Sequence, residues 1–209
     1  MPKLLPLHKF FPSDEYVGVM LDIETLGLKS WKHAISSFSA TKFDLKDGDI
    51  KDSLHLRILT SDLPATSMCE KTLQWRTENK VDEYEKPIKL VRARQAFCNL
   101  WDFLRSGNDE STKPVIFTNH TEFDIPFLQR HLDSHSKSIP WNHKHVFDVG
   151  SLLLGRGVSK SEMYEEVLNS ESWHEKKDSL FSGRDWKHDA FYDTVLQIEV
   201  LMQGLNQGE

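Results

Sequence analysis

Short apolar runs bounded by turn residues dominate the first sixty positions of the chain, and helical spacing dominates the remainder. Tyr16–Leu21 is an apolar run rich in strand formers and leads directly into Asp22-Ile23-Glu24. Ala34–Phe43 and Ser53–Leu59 read as two further strands. The polar stretch Lys46–Asp52 between them, with Asp47-Gly48, predicts a hairpin turn. Leu90, Ala93, Phe97, Leu100, Trp101 and Leu104 recur at helical spacing, so Lys86–Arg105 is expected to be an amphipathic helix ending at Gly107-Asn108. Pro114–Thr118 is a short strand, and a helix over Asp124–His135 puts Ile125, Leu128 and Leu132 on one face. Val146–Val149 gives a fifth strand, with a helix over Ser151–Leu154 after it. The last helix, Asp189–Leu205, carries a core stripe of Phe191, Val195, Ile198, Met202 and Leu205. Ser159–Lys187 is charged and poorly periodic. A strand meander succeeded by strand–helix alternation predicts an α/β fold with a mixed five-stranded sheet flanked by helices.

The 209 residues suit one α/β domain spanning 1–209, with residues 1–15 as an N-terminal arm. Apolar residues make up 38% and charged residues 28%, and no run approaches the ~20 apolar residues of a membrane helix, so a cytoplasmic protein with no membrane partner is expected. Cys69 and Cys98 make neither a disulfide framework nor a zinc spacing, and reduced thiols are expected. The formal net charge of −6 disfavours tight non-specific binding to duplex nucleic acid. That objection weakens for a protein that meets phosphate through bound divalent cations.

Asp22 and Glu24 stand at i and i+2 of a strand and project from the same face. Like charges held that close are costly unless a cation neutralises them, and hard oxygen ligands suit Mg²⁺ or Mn²⁺. Taken alone, the pair also reads as solvated acids at a strand end. Asp124 stands where a strand and loop give way to a helix, and its bland reading is a helix N-cap, with Pro126 in support. His188 and Asp193 would point about 140° apart on one helix, so cooperation requires His188 on the loop before the helix and Asp193 one turn inside it. Ala190, Leu196 and Val200 share the face of Asp193, which predicts a part-buried acid in need of a partner.

The order of these pieces changes their weight. Asp-x-Glu-Thr-x-Gly after the first strand, Phe-Asp opening a middle helix and His-x4-Asp opening the last one resemble the three motifs of the DEDDh exonucleases. The resemblance spans Tyr16 to about Leu205. It implies an RNase H-like fold and a 3′–5′ exonuclease acting on nucleic-acid 3′ ends, with single-stranded DNA favoured and RNA as the alternative. It further implies two Mg²⁺ or Mn²⁺ ions held by Asp22, Glu24, Asp124 and Asp193, with His188 as general base. Thr25, Leu26 and Gly27 would meet the 3′-terminal nucleotide through backbone groups and a leucine wedge, and Phe123 would add a substrate contact. Thr72-Leu73-Gln74-Trp75 resembles a T-L-x-W segment of the small phage and bacterial branch, which includes phage exonuclease A and exodeoxyribonuclease VIII-like proteins. Asn119 stands five residues before Asp124, where many relatives place an Asn four before.

Other readings fit less well. An aspartyl-phosphate phosphatase wants an Asp where Glu24 stands. His131 and His135 have zinc-protease spacing but lack the Glu after the first His, so they read as a polar helix face. An inactive RNase H-like binding module is the alternative from another class. Trp31, Trp75, Trp141, Trp173 and Trp186 are available either for packing or for stacking on bases.

Overall fold

The computed structural model describes residues 6–79, 81, 89–106, 112–183 and 188–206. A short helix α1 (Leu7–Phe10) precedes three strands, β1 (Tyr16–Thr25), β2 (Ile35–Phe43) and β3 (Ile50–Ile58). Helix α2 (Glu70–Glu78), strand β4 (Leu90–Val91), helix α3 (Ala93–Arg105), strand β5 (Lys113–Thr118) and helix α4 (Thr121–Ser134) come next. The chain continues through β6 (Val146–Asp148), α5 (Val149–Gly155), α6 (Lys160–Leu168), α7 (Glu171–Phe181) and α8 (Ala190–Asn206).

The sheet is mixed, with strand order β4-β3-β2-β1-β5-β6. Among the described residues it has six strands rather than the expected five. The extra strand, Leu90–Val91, pairs in parallel with Arg57 and Ile58, so the helix expected from Lys86 begins only at Ala93. Two residues are too few to leave a period-2 signal. Lys86, Gly107, Asn108 and Trp186 lie outside the described residues. The hairpin expected at Asp47-Gly48 is present, with Gly48 at φ +79 and its N–H donating to the Asp44 carbonyl.

Alternation along β1 divides the core. Val19, Leu21 and Ile23 face α3 and α4, whereas Met20 faces the side covered by α5 to α8. Asp22 and Glu24 share the parity of Met20 and therefore face α8. That helix is buried on nearly every side: Val200 and Leu201 are enclosed as fully as Val195 and Ile198, Leu196 is buried too, and Phe191 is only half-buried. One apolar stripe could not have signalled this, because α8 lies on β1 and β2 while α5, α6 and α7 cover its back. Residues 7–11 do not trail free, since Leu7 and Phe11 pack into the same cluster. No helix among the described residues is long and apolar enough to cross a membrane. Cys69 and Cys98 are free. His131, expected on a polar face, is buried against Phe97 with ring centroids 4.8 Å apart.

Small hydroxyl residues let α8 sit close to the sheet. The Thr194 hydroxyl lies 3.1 Å from Ser39 Oγ, 2.8 Å from Thr41 Oγ1 and 2.9 Å from the Phe191 carbonyl. Donating to the carbonyl and accepting from the other two satisfies all three contacts. Thr194→Val keeps the shape and strands the partners, so it should cost about 1–3 kcal/mol in urea unfolding with little change in slope. An unchanged midpoint would mean that these bonds do not hold α8 in place.

Candidate active site

Three elements deliver acids to one cavity of about 410 Å³, lined by Asp22, Glu24, Asp124, His188 and Asp193 among others. Asp22 and Glu24 come from the end of β1, where the pairing with β2 shifts register between Glu24 and Thr25. Asp124 comes from the first turn of α4. That turn is anchored to its neighbours, because Thr121 Oγ1 lies 2.9 Å from Thr118 Oγ1 and the Thr121 N–H donates to Asp148 Oδ2. Asp124 is not the N-cap. His120 holds that position, and Asp124 Oδ2 reaches back to accept from the His120 N–H at 3.3 Å. Asp193 lies in the first turn of α8, and the Asp189 carboxylate caps that turn by accepting from the N–H groups of Phe191 and Tyr192.

His188 occupies the turn before α8 with φ +64, a left-handed conformation that is uncommon for a side-chain-bearing residue. Trp75 packs edge-on against its ring, with centroids 4.9 Å apart. Glu24, His188 and Asp193 each bring one ligand atom, and these atoms lie within 4.8 Å of one another.

The electrostatics are severe. Burial pushes the Asp22 carboxyl up to about 7, with Asp189 adding to the rise and a hydrogen bond from Gln197 opposing it. Burial, then the charge of Asp22, pushes Asp124 up to about 8. Asp193 is also raised, by burial and then by Asp22, Glu24 and Asp189. Two side chains that sequence reasoning missed relieve the cluster. Arg76, 2% exposed, places Nη1 3.2 Å from Glu24 Oε2. Gln197 donates from Nε2 to Asp22 Oδ1 at 3.0 Å. Its position one helical turn after Asp193 was a usable signal.

Gln197 also tests whether the site suits a hydrated cation. Its Oε1 is buried with no hydrogen-bond partner, although the residue lines the cavity. A buried acceptor without a donor is unfavourable, and a hydrated cation brings such donors. The all-oxygen acid set likewise matches a hard divalent ion. The residues present fit such ions.

Of the residues after Glu24, Thr25 lines a second cavity, whereas Leu26 and Gly27 do not. Leu26 is 4% exposed, its N–H donates to the Ala34 carbonyl and its own carbonyl accepts from the Cys69 N–H. A wedge needs an exposed side chain, so the reading of Leu26 as wedge is corrected. Thr25 is buried, with its hydroxyl on the Gly27 carbonyl. At Gly27 an added Cβ would fall 2.2 Å from His33 Nδ1, so the close approach that needs glycine here is internal. The exposed apolar residue at this rim is Leu28, 77% exposed. With Lys71, Thr72, Trp75 and Phe123 it lines that second cavity, of about 440 Å³, which shares Ile23, Glu24 and Phe123 with the first. Trp141 and Trp173 are core, while Trp31 and Trp75 are exposed.

Comparison with known proteins agrees with this architecture. The fold is similar to E. coli exonuclease I solved with a dT13 oligonucleotide, at TM-score 0.59 and 12% identity over 92% of this chain and 41% of that one. It is also similar to the zinc-bound form of E. coli exonuclease I in complex with single-stranded DNA, at TM-score 0.57 and 15% identity over 90% of this chain and 40% of that one. The chain thus spans about 40% of the length of these exonuclease I chains. No curated protein sequence matches it. The domain family described as 3′–5′ exoribonuclease Rv2179c-like matches residues 17–204, nearly the whole chain, and the protein therefore belongs to that family of 3′–5′ exonucleases.

Proposed function

We propose that this domain removes nucleoside monophosphates from single-stranded 3′ ends, with Asp22, Glu24, Asp124 and Asp193 holding two Mg²⁺ or Mn²⁺ ions and His188 acting as general base. The observation that carries the reading is the gathering of these four acids and the histidine in one cavity, at a burial that raises Asp22, Asp124 and Asp193 far above ordinary carboxylates. Bound there, divalent cations would make a water more acidic and neutralise charge on the phosphodiester. Gln197 and Arg76 would fix which oxygens of Asp22 and Glu24 face the ions. An imidazole nitrogen of His188, neutral and steadied by Trp75, would take the proton from the attacking water. Leu28, Trp75 and Phe123 would receive the terminal base in the second cavity.

The polymer is the finer question. Binding of single-stranded DNA by the exonuclease I structures supports DNA, the preference drawn from sequence. The family description supports RNA, and we place RNA first because family membership covers 17–204 while the solved structures share the fold alone. A likeness to the phage exonuclease A branch rests on Thr72–Trp75 and on the five-residue spacing of Asn119 before Asp124. Matched 5′-labelled DNA and RNA oligomers, monitored as product ladders with Mn²⁺ and with EDTA, test the whole reading. Absence of any EDTA-sensitive shortening of either polymer would overturn it.

Asp124→Asn keeps the acceptor for the His120 N–H and removes a buried charge, so the protein should fold at least as stably without metal while activity falls by orders of magnitude. Near-normal activity would make Asp124 a structural acid. Leu28→Ala should raise KM several-fold and leave the metal-dependent melting shift intact, whereas Leu26→Ala should cost about 2–5 kcal/mol of stability. The reverse pattern would restore Leu26 as the substrate contact.

The raised acids also set a pH dependence. Acids whose folded-state values are raised bind more protons folded than unfolded, so their contribution to stability is full at low pH and is lost as pH rises through about 7 and about 8. Cations replace those protons. The gain in melting temperature from Mn²⁺ over EDTA should therefore grow between pH ~6.5 and ~8.5. A gain that stays flat across this window would argue against cations at the raised acids.

A further inference from the structure

Helix α4 carries Asp124 in its first turn, yet the N-cap residue of that helix, His120, makes no side-chain cap. The first N–H groups of a helix have no partner within it and take acceptors from elsewhere. The His120 N–H finds one inside the turn, on Asp124 Oδ2. The next N–H, that of Thr121, finds one on another strand: it donates to Asp148 Oδ2 at 3.4 Å. Asp148 ends β6, and its other oxygen, Oδ1, accepts from the Ser151 N–H at 2.7 Å as the N-cap of α5. One carboxylate therefore caps two helices, with one oxygen for each.

That double contact requires a carboxylate. An ionised aspartate accepts on both oxygens, whereas an asparagine amide accepts on one side and donates from the other. As the cap of α5 alone Asp148 would be replaceable, because Asn and Ser cap a helix about as well as Asp. As the link between α4 and α5 it is not, because either substitute leaves Thr121 without its acceptor. Thr118 and Asp148 are partners in the parallel ladder of β5 and β6, and Thr118 Oγ1 lies 2.9 Å from Thr121 Oγ1. The start of α4 is thus held from both strands, within one turn of Asp124. Asp148 does not line the cavity, although its charge adds to the raised proton affinity of Asp124. Such repulsion is unfavourable, and the two capped helix N-termini offset it.

We propose that Asp148 is a positioning residue for Asp124: by capping α4 and α5 together it fixes the turn that presents the Asp124 carboxylate to a cation. The inference rests on the reading of Asp124 as a metal ligand given above.

The test compares Asp148→Asn and Asp148→Ser with Asp124→Asn, reading Mn²⁺ binding by calorimetry and amide hydrogen exchange in the metal-free protein. Both Asp148 variants should exchange the Thr121 amide faster than wild type while the Ser151 amide stays protected. Both should bind Mn²⁺ about tenfold more weakly, the usual order for a residue that orients a metal ligand. Asp148→Ala, which removes both caps, should speed exchange at both amides. Mn²⁺ affinity equal to wild type in the Asn and Ser variants overturns the proposal. So does weaker Mn²⁺ binding with unchanged Thr121 exchange, because the loss would then come from the removed charge. Failure of the ligand reading is separable. Asp124→Asn would then bind Mn²⁺ as tightly as wild type, which overturns that reading and the proposal with it. A loss in Asp124→Asn without one in the Asp148 variants overturns the proposal alone.

Discussion

Mutual repulsion among buried carboxylates is the constraint around which this fold is arranged. Asp22, Asp124 and Asp193 come from a strand and two helices, and each is held where burial alone raises its proton affinity. An isolated cluster of this kind would spread apart or take up protons. Here the backbone prevents the first. β1 is a central strand, paired antiparallel to β2 and parallel to β5. The hydroxyl contacts of Thr194 with Ser39 and Thr41 fasten α8 to the sheet one residue after Asp193. Arg76 and Gln197 reduce the repulsion by bonding Glu24 Oε2 and Asp22 Oδ1.

Helix α2 ties the neighbouring cavity to this cluster. Consecutive residues Trp75 and Arg76 touch His188 and Glu24, and Lys71, Thr72 and Trp75 line the neighbouring cavity. The helix is attached to β1 through the Cys69 N–H on the Leu26 carbonyl. Its sequence is almost without amphipathic character, with Leu73 and Trp75 exposed and Arg76 buried. That inversion is unfavourable for a helix serving packing alone. It is reasonable for one that puts an aromatic ring toward a cavity and a cation behind a carboxylate.

Much of the fold is legible in the chain because its signals are local. The hairpin at Asp47-Gly48, the parity of Asp22 and Glu24, and the helical spacing from Ala93 to Leu104 are written within a few residues each. The features that escape are non-local. β4 is two residues long and exists only because β3 offers an edge. Arg76 lies 52 positions from Glu24, so no spacing connects them. Leu26 comes after an acid motif in sequence, yet Ala34 and Cys69 take up its backbone groups and draw it inward. Tyr164 sits in a charged, aperiodic stretch that folds as α6 under cover of α8. Asp124 reads from the chain alone as either cap or ligand. The cap is His120, which leaves the Asp124 carboxylate in the cavity with one bond to its own turn.

The acidic balance of the chain acquires a consequence from this geometry. With a net charge of −6, the surface offers a polyanion little long-range attraction, so affinity has to be generated close to the cavity. The two cavities share Ile23, Glu24 and Phe123, so on the proposed reading a base seated in one would fix where its phosphate stands in the other. A strand interior would have to carry both neighbouring nucleotides past β1 while its charges met an acidic surface. A free end carries only one. On the proposed reading, local neutralisation by cations in the cavity of a globally acidic protein would select for ends, through the energy withheld from everything else.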